Sequence, residues 1–149
     1  MPAPFSGGCA CGAIRYECAA EPLAMSNCHC RDCQRASGSA FFPGVYVAKA
    51  NLTVRGNTTY YENTADSGHT QRRGFCRECG SPVFVRPAAY PDLVGLWAGS
   101  LDDPSWYQPA VDIWTASAQP WDYLNPTVPK IKTGPTKEQV QELITPRGS

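Results

Sequence analysis

The sequence predicts a mainly β fold of short antiparallel sheets, with a short helical turn in its first third and one short helix near its C-terminal end. Three observations carry that expectation. β-Branched, aromatic and aliphatic residues gather in short runs punctuated by Gly, Pro, Asn and Asp, while helical periodicity is scarce. Seven of the 8 cysteines fall in tight clusters, C-x-C, C-x-C-x-x-C and C-x-x-C, which can staple short strands that bury too little to hold themselves. With 149 residues, 42% of them apolar, the chain fits a single domain over residues 1–149.

Thirteen basic and 13 acidic side chains cancel, so neither a nucleic acid nor an anionic membrane is expected as a partner. The opening Met1-Pro-Ala-Pro-Phe-Ser-Gly-Gly8 has no basic or apolar leader pattern, and no run of eighteen apolar residues occurs. A soluble, cytoplasmic protein is the expectation. Cysteine clusters in that setting read as metal ligands rather than disulfides. Pro146 to Ser149 are left out of the fold reading.

Gly7-Gly8-Cys9-Ala10-Cys11-Gly12 is a glycine-flanked C-x-C, half of a metal site. Ala13 to Cys18 then alternates as a half-buried strand with Ile14, Tyr16 and Cys18 on the apolar face. Cys18 reads as a small buried thiol, with a spare ligand as the alternative. The segment Cys28-His29-Cys30-Arg31-Asp32-Cys33 puts three cysteines within six residues, close enough to converge on one ion. His29, between two ligands, should point away from that ion, the alternative being a ligand or proton carrier. Asp32 to Ser37 predicts a helical turn ended by Gly38 in the left-handed region, its N-terminus toward the thiolates.

From Ala40 to Tyr61 the turn signals Pro43-Gly44 and Gly56-Asn57 divide apolar runs into antiparallel strands, and Pro43 demands an edge or a bulge. Asp66-Ser67-Gly68-His69 predicts a loop with a solvated histidine. Thr70 to Phe75 leads as a strand into the knuckle Cys76-Arg-Glu-Cys79-Gly80. Pro82–Val85, Leu93–Ala98 and Ala110–Thr115 predict further strands. Trp97, Trp106, Trp114 and Trp121 read as core or interface filler, with a substrate-lining role open to one of them. Four prolines between Pro120 and Pro135 predict an extended surface arm. Thr136-Lys-Glu-Gln139 is a capping box before Val140, Leu143 and Ile144, hence a short amphipathic helix.

The clustered cysteines divide as four and three. Cys9, Cys11, Cys76 and Cys79 make a closed structural zinc site, and Cys28, Cys30 and Cys33 an open one whose fourth position awaits a ligand. Zinc with three thiolates carries a charge of about −1, which favours a substrate thiol there over a water to be activated. That thiol, deprotonated, can attack an electrophilic carbon. Arg31, Arg35, Arg72, Arg73 and Arg77 surround the motifs. Arg35 or Arg73 would offset the anionic site and bind a carboxylate of the thiol compound, against the plainer reading of solvated surface charges.

As a set, G-G-C-A-C-G-A-I-R-Y, C-H-C-R-D-C-Q-R-A-S-G-S-A-F and R-G-F-C-R-E-C-G-S-P-V-F resemble the glutathione-dependent formaldehyde-activating enzyme family, which also contains centromere protein V. The resemblance runs from Gly7 to about Pro104, with Trp121-Asp122 similar to the family's tail. It implies a β-rich, Mss-four-like fold with two zincs, divided as above, and a carbon-sulfur lyase activity in which glutathione adds to formaldehyde. Cys18 departs from the family pattern. The expected partners are therefore a small thiol such as glutathione and a small aldehyde. The rivals are a non-catalytic zinc-stapled protein-binding module and a redox or metal-exchange protein using Cys28, Cys30 and Cys33 as exchangeable thiols.

Overall fold

The computed structural model describes residues 2–65 and 68–145. Of the sequence expectations, Asp66, Ser67 and Pro146 to Ser149 lie outside the described residues. Among the described residues, eleven strands and two α-helices make a mainly β fold. Strands β1 (Phe5–Gly8), β2 (Arg15–Cys18) and β5 (Leu52–Arg55) form a three-stranded antiparallel sheet in the order β1-β2-β5. The larger sheet is built from β3 (Ala24–Cys28), β4 (Phe42–Ala48), β6 (Thr59–Thr64), β7 (Thr70–Phe75), β8 (Pro82–Pro87), β9 (Leu93–Trp97), β10 (Val111–Ile113) and β11 (Lys130–Ile131). Its order is β11-β10-β3-β4-β9-β8-β7-β6.

Strand alternation sends side chains of the large sheet to two faces, and each face has its own core. On one, Ile14, just before β2, and Tyr16 and Cys18 of β2 meet Val45, Val47, Val83, Phe84, Val94 and Leu96. Cys18 is fully buried there, a core thiol as its place on the apolar face predicts. On the other, Phe42, Val85 and Trp97 pack with Cys28, Cys30 and Cys33. The Phe42 and Trp97 rings lie 4.4 Å apart, giving the three-cysteine segment a rigid aromatic floor.

Helix α1 (Arg31–Ser37) follows Cys30 as its N-cap and ends at Gly38, whose φ of 66° is the left-handed terminator expected there. Helix α2 (Lys137–Ile144) starts in the predicted capping box: the Thr136 hydroxyl accepts the Gln139 N–H at 3.1 Å, and Gln139 Oε1 accepts the Thr136 N–H at 2.8 Å.

Three expectations need correction. The sheet is mixed, because β10 pairs parallel with both β3 and β11. The chain reaches β10 by a long crossover from β9 rather than by a hairpin, and such a connection can deliver a strand in parallel. Pro43 sits inside a central strand, not at an edge: it pairs with Asn27 on one side and precedes the β9 ladder, which begins at Gly44–Trp97. Its missing N–H is tolerated at that strand beginning. The arm from Pro120 to Pro135 is not wholly irregular, since Lys130–Ile131 adds β11 to the sheet.

Candidate metal centres

The turn between β1 and β2 carries Cys9 and Cys11, and the turn between β7 and β8 carries Cys76 and Cys79. The four sulfurs lie within 4.8 Å of one another. Cys11 Sγ is 3.7 Å from both Cys9 Sγ and Cys76 Sγ. A tetrahedron with metal–sulfur bonds of about 2.3 Å has edges of about 3.8 Å, so the donor set fits a thiophilic ion such as zinc. Local structure supports the sulfurs: the Ile14 N–H donates to Cys9 Sγ at 3.2 Å, and Gly80, at φ 76°, folds the knuckle back so that its N–H reaches Cys76 O at 2.7 Å. Ser81 Oγ lies 3.2 Å from Cys79 Sγ, and that contact lowers the Cys79 thiol to about 5. The same Oγ accepts the Ala10 N–H at 3.0 Å, stitching one knuckle to the other.

The second cluster is Cys28, Cys30 and Cys33, also within 4.8 Å of one another and all buried. Cys28 ends β3, Cys30 caps α1, and Cys33 lies in the first turn, its N–H donating to Cys30 Sγ at 3.4 Å. Hydrogen bonds from Cys28 and Cys33 hold the Cys30 thiol down at about 2 against burial, while Cys28 is raised by its bonds to Cys30 and Cys33 and by burial. Arg73 lies beside the trio, its Nη2 donating to Cys33 Sγ at 3.6 Å. Burial opposes the Arg73 charge, but the neighbouring Cys33, Cys30 and Cys28 sulfurs outweigh that cost and raise its pKa. Its Nε and Nη1 are buried with no hydrogen-bond partner.

All three cysteines and Arg73 border a cavity of about 420 Å³. Phe42, Tyr46, Val85, Ile113 and Trp114 form its inner walls, and Val140, Leu143 and Ile144 bring α2 to its rim. The same pattern that predicted an amphipathic helix thus aims its apolar face at this space.

A match to the family model described as glutathione-dependent formaldehyde-activating enzyme covers residues 4–117. The chain belongs to this family. A Halomonas elongata relative, whose name also refers to glutathione-dependent formaldehyde activation, is 30% identical over 104 residues. That match spans 66% of this chain and 66% of the relative, just under two thirds of the relative's length. A crystal structure of a Rhodobacter sphaeroides protein shares the fold with a TM-score of 0.54 and 23% identity, covering 85% of this chain and 99% of that one.

In this formaldehyde-activating-type fold the structure brings together both predicted cysteine sets and Arg73. It does not bring Arg35, which lies in the last turn of α1, exposed and off the cavity wall. Arg72 is exposed and stacks on Tyr60, its guanidinium 4.3 Å from the ring centroid. Arg77 is also exposed, beside Glu78. Among the tryptophans, Trp114 borders the cavity, whereas Trp97 is core, Trp106 meets Phe5 edge-on and Trp121 is exposed. His69 is exposed at the cavity rim.

Sequence reasoning missed the polar frame beneath the trio. His29 does point away from the shared centre, but it is buried against two carboxylates: Nε2 bonds Asp112 Oδ1 at 2.9 Å, and Nδ1 lies 3.0 Å from Asp122 Oδ2, off the line of a good hydrogen bond. Lys130 Nζ closes the network on Asp112 Oδ2 at 3.1 Å. Gln34, also buried, donates to His29 O at 2.7 Å and Ser117 O at 2.9 Å. The available signal was Trp121-Asp122, which resembles the family's tail and supplies one of the carboxylates.

Proposed function

We propose that the protein is a zinc-dependent thiol-adduct enzyme of the carbon-sulfur lyase type, joining glutathione or a related small thiol to formaldehyde or another aldehyde. The observation that carries this reading is a buried sulfur tripod opening onto a cavity, with a cationic side chain beside it. Cys9, Cys11, Cys76 and Cys79 would hold a structural zinc, and Cys28, Cys30 and Cys33 would hold a second, making two per chain. Bound there, the second zinc would supply the Lewis acidity that lowers the pKa of a substrate thiol.

The chain's own residues do the rest. Arg73, on the cavity wall, attracts a carboxylate of the thiol compound by its guanidinium charge, fixing where the sulfur falls. Phe42, Tyr46 and Trp114 exclude water from the reacting pair. The thiol sulfur then attacks the aldehyde carbon, a C–S bond forms, the C=O π pair moves to oxygen, and oxygen takes up the proton that the thiol released. Electrons balance without an oxidant. Neutral net charge supports small-molecule partners over nucleic acid or membrane, and a cytoplasmic setting suits unpaired thiols.

The test is a screen of small thiols with formaldehyde, following hemithioacetal exchange by NMR. Acceleration by the wild type and its loss in folded Cys33→Ser is the expected result. No acceleration with any thiol sinks the reading.

A further inference from the structure

The cavity is larger and more apolar than a one-carbon aldehyde needs. Among the described residues, Arg73 is the only permanently charged side chain on its walls, which carry no lysine, aspartate or glutamate. Arg73 also lies at the sulfur end, bonded to Cys33 Sγ. Tyr46, Ile113 and Trp114 pack against the three-cysteine cluster and, with Val140, Leu143 and Ile144 of α2, make the apolar part of the lining, beside polar side chains that include Gln71, Tyr90 and Thr133. A glutathione carboxylate satisfies Arg73, and the tripeptide's amides and remaining charges are better placed beside the polar side chains of the lining, such as Gln71 and Thr133, than against Trp114 and α2. Formaldehyde leaves the apolar surface unused.

We propose that the aldehyde partner carries an apolar substituent of about aromatic-ring size, seated between Trp114 and the apolar face of α2. This rests on the thiol-adduct reading of the same site. The thiol occupies the Cys28, Cys30 and Cys33 end with one anionic group on Arg73, and the aldehyde's substituent fills the remainder. The bond changes are those of simple addition: C–S forms, C=O becomes C–O–H, and the thiol's proton ends on that oxygen. Burying an aromatic ring's worth of apolar surface is a substantial gain, so selectivity over formaldehyde of at least tenfold is expected.

The experiment has two arms on the full, metal-loaded chain. In the first, exchange with glutathione is followed by NMR for phenylacetaldehyde, 3-methylbutanal and formaldehyde, each divided by its uncatalysed rate. In the second, the non-reacting 2-phenylethanol is titrated against methanol while the Trp114 indole resonance is observed. The expected result is at least tenfold greater acceleration for the two apolar aldehydes, with saturable shifts of Trp114 by 2-phenylethanol alone. Leu143→Asp, and independently Ile144→Asp, should weaken 2-phenylethanol binding at least fivefold with unchanged circular dichroism. Acceleration of formaldehyde exchange alone, with no response of Trp114 to the probe, overturns the apolar-aldehyde proposal and leaves the enzyme reading standing. Binding of the probe at Trp114 with no aldehyde accelerated overturns the enzyme reading itself.

Discussion

His29 Nε2 lies 2.9 Å from Asp112 Oδ1, with both side chains almost wholly out of solvent, directly behind the sulfur tripod. The contact bolts the backbone between Cys28 and Cys30 to β10. Because the ring faces Asp122 on its other side, removing it leaves two buried carboxylates opposed, with Lys130 on Asp112 alone. His29→Ala should therefore cost about 3 kcal/mol, measured by urea unfolding. Asp112→Asn should cost more than Asp122→Asn, since only the Asp112 contact has hydrogen-bond geometry. Equal costs would show that the two carboxylates hold the ring alike.

The two cysteine centres should fail differently. Cys79 belongs to the cluster that joins the turn after β1 to the turn after β7, and so ties the small sheet to the large one. Cys79→Ser should unfold the protein, because metal binding there is folding energy on the order of 10 kcal/mol. Cys33→Ser should keep the circular dichroism of the wild type and lose turnover. Metal analysis should give about two zincs per wild-type chain and about one for Cys33→Ser. Retention of both in that variant would contradict the assignment.

Arg73 and Arg35 are separated by a second pair of variants. Arg73→Gln removes the guanidinium whose Nη2 reaches Cys33 and should raise KM for a carboxylate-bearing thiol at least tenfold. Arg35→Gln, on an exposed helix face, should change KM less than twofold. The expected contrast disappears for a thiol without a carboxylate.

Acid should weaken one strap between the sheets. Arg15 donates to Asp102 at 2.8 and 2.5 Å and Ser6 at 2.8 Å, holding the Asp102 carboxyl down at about 2. Its unfolded value is about 3.9, so the folded state binds protons less readily. The contribution is therefore present above pH of about 4 and is lost as pH falls toward 2. Both side chains are more than a third exposed, and screening limits the effect to about 1 kcal/mol or less. Asp102→Asn should flatten the stability profile across that window relative to wild type.

Helix α2 offers a test of how the cavity is closed. Thr136→Ala removes one half of the capping box and should destabilise the helix locally by about 1 kcal/mol. Faster amide exchange confined to Lys137–Ile144, with the core strands unchanged, is the expected signature.

Much of the site was legible because its signals are local. Cysteine spacing defined both clusters, alternation placed Ile14, Tyr16 and Cys18 inward, Gly38 marked the end of α1, and Thr136 with Gln139 marked the start of α2. These patterns follow from backbone geometry within a few residues. Tertiary structure decided what lies beyond that range. It brought Cys76 against Cys11, 65 positions earlier, laid β10 parallel to β3, and set Asp112 against a histidine 83 positions earlier. It also chose between arginines: on β7 the two-residue period sends neighbouring Arg72 and Arg73 to opposite faces, and only the packing of β7 beside β8 determines which face holds the sulfurs.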